Sequence, residues 1–340
     1  VDSYADSKYT AMWKPVPGAE RYNYQAFAAN KITEDTKLAV VNTNFEGMPY
    51  NHGFEWKVTS WGNEIVEQYD TPKYSTTEPD PSAVTGTYTC LDKMSGWMAY
   101  SWALYKDALV IDGYQSFNNG NNASLQCAPI DLSKDNGKFD VTITLKGECA
   151  DGYVDENNNP VYAHAALATF VYDQELDDYV QGETKFIADT NDKEWKTTTC
   201  SFSNGSEDMT FGVFATYAPS NLYIHDIKIE QNYKAGDTFM KSFDYYYRAE
   251  GVEVEKNGEK YLSMEIPLVG ETAGKDVYHR MQSVRLGQAA NQFTSATFCE
   301  SQWSKPTLVA ENVVTGIEKT TEVGKKSATV FIQGDNLVIN

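Results

Sequence analysis

The chain has 340 residues, a formal charge of −20 at neutral pH and an aromatic content of 13%, including 23 tyrosines. Such a charge excludes nucleic acid as a partner, because backbone binding needs phosphates neutralised by Lys and Arg, and it favours cations, neutral glycans or basic surfaces over anionic membranes. No apolar run reaches the roughly 18 residues that a membrane span requires, so no membrane insertion is expected.

The sequence opens at Val1 without a signal-peptide pattern, so a mature or trimmed chain is expected. Residues 9–28, YTAMWKPVPGAERYNYQAFA, read as strand, tight turn and strand, with Trp13 as a core anchor. Trp13, the Pro15-Val16 pair, the Gly18-Ala19 turn and Tyr22 opening the next strand resemble the B–C hairpin of a fibronectin type III domain. Only half of such a domain precedes the polar link from Asn30 to Lys37.

A different unit follows. Ala123 to Gly147 holds two strand patterns joined by a polar, glycine-containing turn. In the second, Phe139, Val141, Ile143 and Leu145 alternate with Asp140, Thr142, Thr144 and Lys146, which puts the first set on a core face. The stretch reads as the central hairpin of a β-sandwich. Ala163 to Tyr172 and Met209 to Tyr217 read as core strands, and Trp195 to Phe202 as an alternating, Thr-rich one. Trp56, Trp102 and Trp195 fall in strand-like runs and are assigned to the core. No segment keeps a 3.6-residue period, so very little helix is expected.

Four short matches carry a second resemblance: Asn44-Phe45-Glu46-Gly47, Gly96-Trp97, Ser124 to Ser133 (SLQCAPIDLS) and Asn221 to Glu230 (NLYIHDIKIE). They resemble jelly-roll modules of the galactose-binding-like, MAM-like and cleaved-adhesin kinds, with His225-Asp226 where those families carry an acidic pair. After Gln231 the pattern is fibronectin-like again. Lys241 to Arg248 and Lys260 to Ile266 read as strands, Val277 to Val284 resembles the F strand, and Ser301 to Pro306 the start of the G strand. The expected fold is all-β: a jelly-roll β-sandwich (42–233) inserted in a fibronectin type III-like β-sandwich (1–41 and 234–312). Sandwich loops tolerate such an insertion wherever the two ends of the inserted unit lie close together. Residues 313–340 form a linker and a terminal hairpin, resembling the start of a type IX-like C-terminal sorting region or else an ordinary hairpin.

Five cysteines show no CxxC spacing; they are small buried hydrophobes or include one disulfide within the central unit. GxSxG, HExxH, P-loop and dinucleotide signatures are absent from the sequence. The resemblance to jelly rolls implies a structural calcium where the opening turn meets the closing strand, at Asn44, Glu46 and Asp226, with backbone carbonyls completing the oxygen shell. Asp151, Asp155 and Asn157 form a weaker oxygen cluster without EF-hand order. Trp61, Trp97, Tyr153 and Tyr217, in or beside loops, are the candidate ligand-stacking aromatics. His164, flanked by alanines, is read as buried, and His225 stands out beside Asp226. The expected role is non-catalytic: a secreted or cell-surface adhesion module that binds a glycan or a host or cell-surface protein. The alternative makes these units accessory domains of a larger secreted peptidase or glycoside hydrolase.

Overall fold

The structure, a computed structural model, describes residues 4–5, 8–45, 53–58, 64–69, 87–92, 97–100, 102–105, 108–112, 124–149, 154, 156–159, 164–176, 178–187, 194–216, 220–246, 249, 251–268, 272–288, 297–311, 313, 330–333 and 336–339. Its strands begin with β1 (Tyr4–Ala5), β2 (Lys8–Trp13), β3 (Ala19–Lys31), β4 (Thr36–Asn44), β5 (Gly53–Val58), β6 (Glu64–Tyr69), β7 (Thr87–Asp92) and β8 (Trp97–Tyr100). Next come β9 (Trp102–Tyr105), β10 (Ala108–Asp112), β11 (Ser124–Cys127), β12 (Phe139–Cys149), β13 (His164–Asp173), β14 (Asp178–Ile187), β15 (Lys196–Phe202), β16 (Thr210–Thr216) and β17 (Ser220–Tyr233). The chain closes with β18 (Thr238–Tyr246), β19 (Val252–Lys256), β20 (Glu259–Pro267), β21 (Val277–Gln288), β22 (Thr297–Glu300), β23 (Thr307–Ala310), β24 (Val330–Gln333) and β25 (Asn336–Ile339). The fold is all-β. A helical turn, Lys134–Gly137, has left-handed backbone at Asp135 (φ 50°) and Asn136 (φ 55°).

Two pairs of sheets enclose two cores. In the inner sandwich, a six-stranded sheet ordered β15-β12-β17-β10-β9, with β4 also on β17, faces an eight-stranded sheet ordered β14-β13-β16-β11-β8-β7-β5-β6. The alternation of β12 is realised: Val141, Ile143 and Leu145 are buried against Leu167, Phe211 and Val213, while Thr142 and Thr144 face outward and bond Thr199 and Thr197 at 2.9 Å. Stacked rings of Phe139 and Phe202, 5.1 Å apart, close one end of this core.

The outer sandwich draws on both ends of the sequence. Its sheets run β1-β2-β20-β19 and β18-β3-β21-β22, with β23 also on β21. Tyr9 and Trp13 of β2, Tyr24 of β3, Phe243 of β18, Ile266 of β20 and Val277 of β21 share its core. The two sandwiches are joined by a two-stranded neck. Lys31 pairs with Thr238 on one side of it and Thr36 with Tyr233 on the other. Between them Ile32 N–H donates to Asp237 O at 2.9 Å, Gly236 N–H donates to Ile32 O at 2.8 Å, and Lys234 meets Asp35 at 2.7 Å.

Arg280 is wedged between the sandwiches, 5% exposed. Its Nε and Nη2 donate to Gln25 Oε1 at 3.0 and 2.9 Å, and Nη2 also reaches Pro129 O at 3.1 Å. The guanidinium lies 5.1 Å from the Phe27 ring centroid and 4.9 Å from that of Trp303. Ala128, Tyr245 and Trp303, with Tyr179 against them, form the apolar part of the contact.

Four expectations are corrected. Residues 9–28 do not form a hairpin: β2 pairs with β1 and β20 in one sheet of the outer sandwich, whereas β3 pairs with β18 and β21 in the other. Ala123 to Gly147 is not a hairpin: β11 pairs with β8 and β16 in the eight-stranded sheet, whereas β12 pairs with β15 and β17 in the six-stranded one. The turn carries the chain across the core from sheet to sheet. Period two identifies the inward residues but is silent on which wall of the core they line. Gly205 permits the crossing, since a Cβ there would sit 2.0 Å from Leu132 O. Gln231 pins it, its Nε2 donating to the carbonyls of Leu132, Lys134 and Lys138 at 2.7–3.1 Å. Trp195 is not core: it lies just before β15, half-buried, edge-on to His225 at 5.5 Å with Lys146 Nζ 4.7 Å above its ring. Lys146 and Asp226 belong to the outward set of the sheet, and Trp195 joins them at the strand's end. Finally, Ser301 to Pro306 is irregular chain between β22 and β23 rather than the start of a strand.

Candidate aromatic binding face

Residues directly opposite one another in an antiparallel ladder lie on the same face of the sheet. Ala166 of β13 is paired with Phe186 of β14 on one side and Phe214 of β16 on the other. Ser124 of β11 links Phe214 to Tyr100 of β8, and Tyr88 of β7 links Tyr100 to Trp56 of β5. One transverse row thus crosses the eight-stranded sheet. Ala165, Leu167, Ile187 and Val213 alternate with Phe186, Ala166 and Phe214 and line the core, which places those three on the outer face. Phe186 is 69% exposed there.

Along the strands the face stays aromatic. Phe170 and Phe214, both half-buried, have ring centroids 5.7 Å apart, and Tyr172 meets Tyr179 edge-on at 5.3 Å. Gly212 explains how the two phenylalanines sit. A Cβ at that position would come within 2.9 Å of the Phe214 ring and 3.1 Å of the Phe170 ring, so both rings lean over the glycine. A glycine inside a strand is otherwise unfavourable and marks such close approaches. Ala168 and Gly212 form a low floor, and Gln126 and Thr184 share their row by register. Gln181 Nε2 donates to Thr184 Oγ1 at 2.7 Å. The result is an apolar patch, the Phe170 and Phe214 rings covering the buried Ala168 and Gly212, edged by amide and hydroxyl groups. Its far end is closed by the outer sandwich, where Tyr179 packs beside Trp303 and its hydroxyl donates to Asp208 at 3.3 Å.

A polar cavity of about 460 Å³ opens at the end of the inner sandwich between Lys37, Asp140, Glu183, Lys185, Ser201 and Asn232. Its charges are partnered among themselves. Lys37 lies 2.8 Å from Asp140 and Lys185 2.6 Å from Glu183. The Lys37 and Ser201 bonds hold Asp140 below the usual carboxylate range, and the Lys185 bond does the same for Glu183.

The residues expected from sequence fall differently. Asn44 and Asp226 are brought directly opposite one another in the β4–β17 ladder, while Glu46 lies outside the described residues. Asp226 accepts from Thr144 Oγ1 at 3.2 Å and bonds His225 Nδ1 at 2.7 Å. Among the described residues no group of three or more His, Cys, Asp or Glu is arranged to hold a metal ion. Trp61, Tyr153 and Tyr217 lie outside the described residues, as do Asp151 and Asp155 of the second oxygen cluster. Trp97 opens β8 opposite Cys127, and its side chain is not described; nor are those of Trp56, Trp102 and His164. Phe186, Phe214, Phe170 and Tyr172 were missed. Their signal was nevertheless present in β13: Ala166, Ala168, Phe170 and Tyr172 make the outward set as apolar as Leu167 and Val171 make the inward one. An antiparallel strand with one wet face would show polar residues there.

No protein-family model matches this sequence, and no curated protein matches it. Among solved structures the chain is similar to a Family 16 Carbohydrate Binding Module-2, at 15% identity, covering 39% of this chain and 84% of that one with a TM-score of 0.23. It is also similar to a CBM22-1 xylan-binding domain from Paenibacillus barcinonensis, at 11% identity, covering 61% of this chain and 99% of that one with a TM-score of 0.26.

Proposed function

We propose that this chain is a non-catalytic, secreted or cell-surface module that binds glycan on the outer face of its eight-stranded sheet. The observation that carries the reading is the aromatic strip of Phe186, Phe214, Phe170 and Tyr172, with Phe186 largely in solvent. Aromatic rings offer large, rigid apolar area at low entropic cost, suited to the C–H faces of pyranose rings, and the polar edge supplies partners for hydroxyls. The charge of −20 favours neutral sugars over anionic ones. The outer sandwich, read as fibronectin type III-like, serves as a spacer fixed to the binding module through Arg280 and the neck. A structural calcium at Asn44, Glu46 and Asp226 belongs to the same proposal: EDTA should lower the melting temperature and calcium restore it.

Affinity electrophoresis against a panel of soluble neutral polysaccharides tests the reading. Retardation of the wild-type chain, lost in Phe186→Ala/Phe214→Ala with an unchanged circular dichroism spectrum, is the expected result. Equal retardation of both proteins would remove the aromatic face from the account.

A further inference from the structure

We infer that the polar cavity at the end of the inner sandwich is a second binding site, separate from the aromatic face, for a small zwitterion of the α-amino acid type. Its two walls carry this. On one side Ser201, Asp140 and Glu230 stand opposite one another in the β15–β12–β17 ladders and so share one face of the six-stranded sheet. Lys37 Nζ reaches across this row, 2.8 Å from Asp140 and 3.8 Å from Glu230. On the other side Glu183 and Lys185, two residues apart on β14, pair at 2.6 Å. Two ion pairs, one from each sheet, thus line a single cavity.

Charge pairing of this kind selects the ligand. A simple anion finds a carboxylate beside each paired lysine, and a simple cation must displace a lysine from its carboxylate. A zwitterion brings both signs at once and leaves the two pairs in place. The local composition agrees. The whole chain has 48 acidic residues against 28 Lys and Arg, yet four acidic residues and three lysines line the cavity. The third of these lysines, Lys138, is exposed and has no ion pair among the described residues, so its ammonium is open to the ligand carboxylate. The ligand ammonium then falls to Asp140 and Glu230, two carboxylates directly opposite one another, an arrangement that favours a cation between them. Gln231 lines the same cavity at 1% exposure. Its Nε2 is engaged by three backbone carbonyls, while its buried Oε1 accepts from no donor among the described residues. A buried acceptor left open calls for an N–H from outside the fold. The volume of about 460 Å³ falls within the ~300–1,000 Å³ of small-molecule sites.

Isothermal titration of the whole chain with each uncharged L-amino acid, then with the α-amide and the N-acetyl derivative of the best binder, tests the inference. The amide keeps only the ammonium and the acetyl derivative only the carboxylate. Saturable binding of at least one amino acid, about tenfold weaker for either derivative, is expected. Lys138→Met should reproduce that loss with an unchanged melting temperature, because the side chain is exposed. Phe186→Ala/Phe214→Ala should bind the amino acid as wild type does. Absence of saturable binding across the panel, a derivative that binds as tightly as its parent, or an unaffected Lys138→Met would overturn the inference. So would loss of amino-acid binding in the double phenylalanine variant, which would move the ligand to the aromatic face.

Discussion

Burial holds the imidazole of His279 down at about 4, well below its ordinary 6.5. It sits against the Tyr9 and Tyr24 rings, with the Tyr24 hydroxyl 3.0 Å from Nδ1 and that hydroxyl bonded to Tyr9. Between these two values the unfolded chain takes up a proton that the folded chain refuses. The stabilisation is therefore complete above about pH 6.5 and is lost as pH falls toward 4, amounting to about 3 kcal/mol. Melting temperatures at pH 7 and 4.5 should fall further for wild type than for His279→Gln; equal falls would mean that this imidazole does not set the acid limit. Burial also pushes the Cys127 thiol up to about 12. Since thiolate is the reactive form, iodoacetamide should leave Cys127 unlabelled in the native protein and modify it once the chain is unfolded in guanidinium. Among the described residues Cys127, Cys200 and Cys299 form no disulfide; Cys127 is buried and the other two are half-buried.

Two strand-borne or loop-borne glycines separate stability from binding. At Gly205 an added methyl would strike backbone oxygens, 2.0 Å from Leu132 O and 2.9 Å from Gly137 O, and neither can yield without undoing the crossing between the sheets. Gly205→Ala should cost about 3 kcal/mol or more in urea denaturation. At Gly212 the obstruction is only the edges of two half-exposed rings, which can swing outward. Gly212→Ala should cost under about 1 kcal/mol yet weaken the glycan binding proposed for this face, because the rings no longer lie over position 212. A loss of stability without a loss of affinity would contradict that picture. The alternation of β12 and the apolar runs of β13 and β16 announced these strands in the sequence, because a pleated chain must separate wet from dry every second residue. What alternation could not announce was sheet membership: Leu125 and Val141 look alike from either wall of one core. The binding face escaped for a related reason. Phe186 and Phe214 become neighbours only through β13, and an aromatic in a strand reads as core until its partner strand shows which side it takes.

At the scale of the molecule, Arg280 does most to fix the sandwiches to one another. It satisfies Gln25 Oε1 while lying between two aromatic rings, so Arg280→Met leaves that buried acceptor without its donors, whereas Pro129 O keeps the bond from Gln25 Nε2 at 2.9 Å. A loss of about 2–4 kcal/mol is expected, and calorimetry should resolve one transition into two as the sandwiches come apart. A single unshifted transition would mean that the neck alone couples them. No sequence pattern pointed to this contact, since Gln25, Pro129 and Arg280 are far apart along the chain and each is unremarkable alone. The stretch around Trp13 was different: although β2 and β3 belong to opposite sheets rather than to one hairpin, by themselves they would leave open edges, so partners had to come from later in the chain, and β20, β18 and β21 supply them.

The neck has a mechanical consequence. Because the chain departs from β3 and returns into β18 beside it, tension between β2 and β23 travels through the outer sandwich alone. The inner sandwich hangs off that load path like a side branch and stays slack while the outer one is stretched. Load applied across those two strands would strain the outer sandwich first, and the inner one would keep its shape until the outer one tore.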